Sequence, residues 1–156
     1  MTIELVLVEP EIPQNTGNIV RTCAATNVKL HLIEPMGFSI DEKQVKRAGL
    51  DYWHLVEIEV HKSLQDFFEK YQDSGRRFLY ATTKAKADYT QVSYQSGDMI
   101  LFGKESKGLP EELLFADPER CLRIPMVSEA RSLNLSNAVA VVTYEALRQL
   151  DFPGLL

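Results

Sequence analysis

The 156-residue sequence predicts an α/β fold, a single domain over residues 1–156 with a parallel sheet flanked by helices. Three observations carry that expectation. The apolar, β-branched run Ile3–Val8 reads as a buried strand, and Lys29–Ile33 alternates as a strand does. Segments with helical spacing of apolar residues alternate with them. Prolines, glycines and asparagines punctuate the boundaries, and no repeat, linker or low-complexity stretch interrupts the pattern.

Pro10 and Pro13 end the first strand, and a helix is expected from Asn15 to Ala25, with Asn27 suited to the left-handed position after it. Lys29–Ile33 alternates as a second strand. Ser39 and Glu42 form a capping box opening a helix that Gly49 closes. Leu55–Val60 reads as a third strand. Ser63 caps a helix whose apolar face is Leu64, Phe67, Phe68 and Tyr71. Arg77–Thr82 and Met99–Phe102 are further strands, Pro110 can open a short helix, and Cys121–Ile124 is the last strand. An apolar helix, Val139–Leu150, follows it.

With 45% hydrophobic and 25% charged residues, the composition is that of a soluble globular protein. The opening residues carry no secretory signal and no apolar run spans a bilayer, so a cytoplasmic protein without membrane contact is expected. Cys23 and Cys121 read as small buried hydrophobes of a reducing compartment. His31, His54 and His61 show no metal-ligand spacing, and His31, between Leu30 and Leu32, reads as an ordinary strand residue. No metal is expected. A net charge of -5 opposes diffuse capture of phosphate, but Lys43, Lys46 and Arg47, then Lys84 and Lys86, then Lys104 and Lys107 form local basic clusters that could converge.

Ligands of parallel sheets gather at the carboxyl ends of the strands, where three loops fall: Glu9–Arg21, Gly103–Pro110 and Met126–Asn137. In the third, Ser132, Asn134, Ser136 and Asn137 interleave with Leu133 and Leu135. One or two such residues suffice to start a helix, and four suggest a loop that also presents polar atoms. Gly103 and Gly108 have P-loop spacing, yet Leu109-Pro110 stands where lysine and a hydroxyl are needed, and Glu105 would repel a polyphosphate. The dinucleotide glycine pattern is replaced by Glu9-Pro10-Glu11, which disfavours a nucleotide-binding oxidoreductase. A ligand with adenine and ribose but no phosphate, S-adenosylmethionine, fits better. Backbone around Gly103, Ile124 and Met126 can meet its adenine, with Leu133 and Leu135 on the ring faces. Glycine at 103 permits close backbone approach. Arg21, placed in the first turns of its helix, can grip a phosphate or polar substrate group.

Taken together the loops resemble the signature motifs of the SPOUT superfamily of RNA methyltransferases. The motifs are Glu9-Pro-Glu-Ile-Pro-Gln-Asn-Thr-Gly-Asn-Ile-Val-Arg21, Leu101-Phe-Gly-Lys-Glu-Ser-Lys-Gly-Leu-Pro110, and Ile124-Pro-Met126 with Arg131-Ser-Leu-Asn-Leu-Ser-Asn-Ala138. Similarity extends to Ile33–Phe38, Arg47–Tyr52, Ala81–Lys84 and Phe152–Gly154, with Lys104 departing from a proline of relatives. The match is strongest to the small TrmL/YibK-like subgroup that methylates the ribose of the tRNA wobble nucleotide.

That resemblance implies a C-terminal trefoil knot, a homodimer whose active site draws on both subunits, and a tRNA anticodon arm as partner. The implied reaction moves a methyl group from S-adenosylmethionine to the 2′-hydroxyl of a wobble cytidine or modified uridine, in leucine tRNAs. Other tRNA positions, ribosomal RNA, or a non-catalytic RNA-binding dimer are the alternatives. Arg21 is implied as an orienter of phosphate or hydroxyl, steadied by Asn15, while Glu105, Ser132 and Asn134 shape the hydroxyl's hydrogen bonds. Which group takes the proton stays open. The cofactor contacts carried over are Ala81, Thr82, Gly103, Ile124, Met126, Ser132 and Leu133.

Overall fold

The computed structural model describes residues 2–39, 47 and 52–156. The capping box at Ser39 and Glu42, the helix it opens, and Lys43 and Lys46 lie outside those residues, Ser39 apart. Among the described residues six strands form one sheet: β1 Glu4–Val8, β2 Lys29–Ile33, β3 Ile58–His61, β4 Phe78–Ala81, β5 Met99–Phe102 and β6 Cys121–Leu122. Their spatial order is β3-β2-β1-β5-β4-β6, and every pairing is parallel.

Parallel strands are buried on both faces, and the pleat divides each strand between two cores. Leu5 and Leu7 of β1 face helices Pro13–Thr26 and Leu135–Gln149, packing with Ile19, Cys23, Val139 and Val142. Val6 and Val8 face the other side, with Phe67 of helix Leu64–Tyr71 and Leu114 of helix Glu111–Ala116. Each such fully buried aliphatic chain contributes about 1.5–3 kcal/mol relative to exposure.

Local signals act as expected at several ends. Asn27 adopts φ 56°, and Ser63 Oγ accepts from Asp66 N–H at 3.0 Å. Elsewhere the boundaries move. The first helix begins at Pro13, whose missing N–H costs nothing in the first turn. The expected strand Leu55–Val60 is corrected to β3, because Trp53–Leu55 coils into a 3-10 turn in which Leu55 N–H donates to Tyr52 C=O at 2.9 Å. The last strand stops at Leu122 rather than Ile124. Arg123 leaves β4 and pairs instead with Ala87 C=O and Tyr89 N–H. The final helix starts at Leu135, not Val139, because Asn134 caps it.

Strand register also gathers the histidines that looked scattered. His31 sits opposite Glu59, and Ile33 opposite His61. His31 Nδ1 lies 3.0 Å from His61 Nε2, and His31 Nε2 lies 2.6 Å from Glu4 Oε1. Arg76 pairs with Glu4, and Lys29 and Lys70 with Glu59, so the carboxylates of this polar core already carry cationic partners.

Candidate active site

The strand order reverses direction between β1 and β5, and the loops leaving the carboxyl ends of β1, β5, β4 and β6 surround one cavity of about 580 Å³. Its first wall comes from the β1 loop. Glu105, on the β5 loop, reaches across and accepts three hydrogen bonds there. Its Oε1 takes Glu11 N–H at 2.8 Å, and its Oε2 takes Ile12 N–H at 3.0 Å and Asn15 Nδ2 at 3.1 Å. An anion at the opening of helix Pro13–Thr26 also complements the helix dipole. The tie is reciprocal, since Glu11 Oε1 accepts from Ser106 N–H at 2.9 Å. Those Ser106 hydrogen bonds hold the Glu11 carboxyl below its ordinary value.

Asn15 carries the connection to the third loop. Its Oδ1 accepts from Asn134 Nδ2 at 3.1 Å. Asn134 Oδ1 in turn accepts from Ser136 N–H at 3.0 Å, Asn137 N–H at 3.3 Å and the Ser136 hydroxyl at 2.6 Å. Of the four polar residues that stood out in this loop, Asn134 is the cap, Ser136 braces it, and Asn137 supplies an N–H. Ser132 lines the cavity.

All the residues expected around the cofactor line this cavity: Ala81 and Thr82 after β4, Gly103 after β5, and Ile124, Met126, Ser132 and Leu133 after β6. Asn15, Glu105 and Asn134 line it as well. The walls suit an adenosyl group. The volume falls within the range of about 300–1,000 Å³ usual for small-molecule sites. Leu122, Leu135 and Val142 supply apolar surface. Among the described residues, the backbone polar groups of Ile124 and Met126 make no hydrogen bond within the protein, which leaves them for a heterocycle edge.

Gly103 is required for a reason other than the one its position suggests. A Cβ there would lie 2.0 Å from Gly108 C and 2.1 Å from Leu109 N. The β5 loop folds back on itself at this point, with Gly108 N–H donating to Lys104 C=O at 2.8 Å and Gly108 at φ 73°. The side chain is excluded by the loop's own backbone.

Arg21 is corrected on two counts. It lies in the third turn of its helix, not the first turns, and it is exposed and outside the cavity wall. Asn15 does not steady it, since Asn15 turns inward to Glu105 and Asn134. The guanidinium carbon instead lies 4.9 Å from the centroid of the Tyr52 ring. Nothing in local spacing signals that partner.

The basic clusters are also redistributed. Lys84 pairs with Glu111, Lys104 with Glu9 at 3.2 Å, and Arg123 faces Asp88 at 3.6 Å. Lys107 and Arg131, which line the cavity too, form no ion pair among the described residues. Arg131 falls within the third motif, where residue type and spacing carry no separate signal of its place in the cavity wall.

Residues 2–144 match the model of the SpoU rRNA Methylase family. A protein of Escherichia coli (strain K12) named tRNA (cytidine(34)-2′-O)-methyltransferase is 51% identical over 153 residues, covering 97% of this chain and 96% of that one. A solved structure described as giving insight into the 2-OH methylation of C/U34 on tRNA superposes with a TM-score of 0.91 at 47% identity, covering 96% of this chain and 97% of that chain. An AdoMet-bound rRNA methyltransferase from Sinorhizobium meliloti superposes with a TM-score of 0.86 at 26% identity. It covers 96% of this chain and 57% of its own, longer chain.

Proposed function

The chain belongs to the SpoU rRNA Methylase family, and from that premise we propose that it methylates the ribose 2′-oxygen of nucleotide 34 in tRNA, as the name of its E. coli relative describes. The observation that carries this is the intact tie of three loops, Glu105 to Asn15 to Asn134, around a cavity sized for an adenosyl group.

S-adenosylmethionine supplies the methyl group as an electrophilic sulfonium. Gly103, Ile124 and Met126 would hold its adenine through backbone, with Ala81, Thr82, Ser132 and Leu133 around the rest. The protein's own part is alignment, which in well-oriented systems is worth on the order of 7 kcal/mol or more. Glu105 serves that alignment as a strut. Both its oxygens are engaged by the β1 loop, which supports a bracing role. Asn134 and Ser132 face the cavity with polar atoms that can set the hydroxyl's direction.

Arg21 would orient the RNA. Its exposure outside its own cavity supports a homodimer in which it serves the partner's site. The outward faces of the two packed helices support this too, with Asn18 and Arg21 on one and Val141 and Tyr144 on the other. The finer parts of the reading are a single domain over 1–156, a C-terminal trefoil knot, the anticodon arm of leucine tRNAs with cytidine or modified uridine at the wobble position, and a cytoplasmic setting. No described helix is long and apolar enough to cross a membrane.

The test is purified protein with S-adenosylmethionine and tRNA transcripts, followed by nuclease digestion and mass spectrometry. A methyl on the ribose of nucleotide 34 is expected. A methylated base, a different position, or tight tRNA binding with no methyl transferred would each overturn the reading.

A further inference from the structure

We propose that Tyr52 is a positioning residue for methyl transfer, holding the Arg21 guanidinium by its flat face so that the edge N–H donors remain free for RNA. This rests on the reading of Arg21 as the residue that orients the RNA. Three observations converge. The Arg21 guanidinium carbon lies 4.9 Å from the Tyr52 ring centroid, within reach of cation–π attraction. Arg21 makes no hydrogen bond or ion pair among the described residues, although it is exposed. Tyr52 itself is half-buried at the start of a 3-10 turn. Its carbonyl accepts from Leu55 N–H at 2.9 Å, and the adjacent Trp53 packs against the core beneath helix Pro13–Thr26.

The choice of an aromatic partner has a chemical consequence. A carboxylate could also restrain an arginine, but it would occupy the donor fork and cancel the charge. A ring face attracts the cation through its quadrupole while all five N–H groups, lying in the guanidinium plane, stay available. An arginine so held meets a phosphate or hydroxyl oxygen without first losing its side-chain freedom. The hydroxyl of Tyr52 makes no hydrogen bond among the described residues, so the ring, not the hydroxyl, is the working part.

The experiment compares full-length wild type with Y52F, Y52L, Y52M, R21A and the R21A/Y52L double variant. It measures single-turnover methylation of tRNA at saturating S-adenosylmethionine, calorimetric cofactor binding and thermal melting. Y52F should keep the wild-type transfer rate, because the ring face remains. Y52L and Y52M should slow transfer about fivefold, the size of an exposed cation–π contact, with cofactor affinity and melting unchanged. In the R21A background Y52L should cost nothing further. The proposal is overturned if Y52L costs the same factor with and without Arg21, if Y52F is as slow as Y52L, or if both non-aromatic variants match wild type. If Y52L is unfolded, Y52M alone decides the comparison, with R21A/Y52M as its double variant. R21A transferring at the wild-type rate would instead sink the reading of Arg21 itself, an outcome distinct from additive losses.

Discussion

Asn134 donates from Nδ2 to Asn15 Oδ1 at 3.1 Å, joining residues 119 positions apart, while its Oδ1 caps the helix that follows. One side chain thus does two jobs through two different atoms, and a single isosteric substitution separates them. Asn134→Asp keeps the capping oxygen and removes the donor. The cap itself should survive, since Asp and Asn cap equally well, while the carboxylate oxygen now facing the buried Asn15 Oδ1 should cost about 1–3 kcal/mol. Methyl transfer should fall at least tenfold if alignment depends on the tie. Equal activity in the two proteins would show that the tie is dispensable.

Glu105→Gln tests the strut. Three donors converge on the carboxylate, and an amide can offer them only one oxygen while turning its own NH₂ toward the rest. Leaving such groups unsatisfied costs about 1–3 kcal/mol, so the variant should melt earlier and lose activity together. Activity lost at unchanged stability, with a displaced pH–rate profile, would instead make Glu105 a proton acceptor.

Gly103→Ala should be as harmful as a much larger substitution. One methyl group meets backbone at 2.0 Å, and backbone of a packed loop cannot yield as a flexible side chain would. Expected are a loss of about 1–3 kcal/mol, typical of overpacking, and weaker binding of S-adenosylmethionine by titration calorimetry. An alanine variant with wild-type stability and affinity would contradict the geometry.

His61 makes stability depend on pH. Burial depresses its pKa; the Glu59 carboxylate opposes this, and His31, Lys70 and Lys29 add to the depression. The unfolded chain therefore takes up a proton near pH 6.5 while the folded chain still resists it. The contribution is complete above pH 6.5 and is lost as pH falls through the folded value. The melting temperature should drop between about pH 7.5 and pH 5.5, and His61→Gln should melt lower throughout but with a flatter profile over that interval. An unchanged slope in the variant would remove His61 as the cause.

Arg21, if it serves the partner's cavity, permits complementation. Subunits carrying Arg21→Ala, mixed after mild dissociation with subunits carrying Gly103→Ala, should recover methylation that neither has alone. A mixture as inactive as its components, with heterodimers demonstrated by mass spectrometry, would place Arg21 and the cavity in the same subunit.

Part of this architecture is legible in the chain, wherever the rule at work is local. Asn27 and Ser63 obeyed rules that operate within one turn of chain, and the three loops declared themselves by residue type at the ends of apolar strands. Leu55 misled because an apolar residue beside Val56 looks like strand, yet its side chain is 57% exposed and its backbone is coiled. Gly103 stands out in the chain as a place of close backbone approach, but its need to make room for the backbone of its own loop at Gly108 and Leu109 has no local signature. The meeting of His31 with His61, and of Arg21 with Tyr52, depends on strand register and helix packing, which have no local signature.

The joining of the β1 loop to Glu105 spans 93 and 94 positions, and that of Asn15 to Asn134 spans 119. A chain growing from its N-terminus can complete β1, its loop and the first helix while more than half its residues are still unmade. The cavity cannot exist at that stage in any form. Its floor waits for β5, and its last wall waits for the loop between β6 and helix Leu135–Gln149. A site assembled from segments so far apart forms only once they have met, so that a polypeptide stopped before β6 has the β1 loop and its helix but no place for a methyl donor.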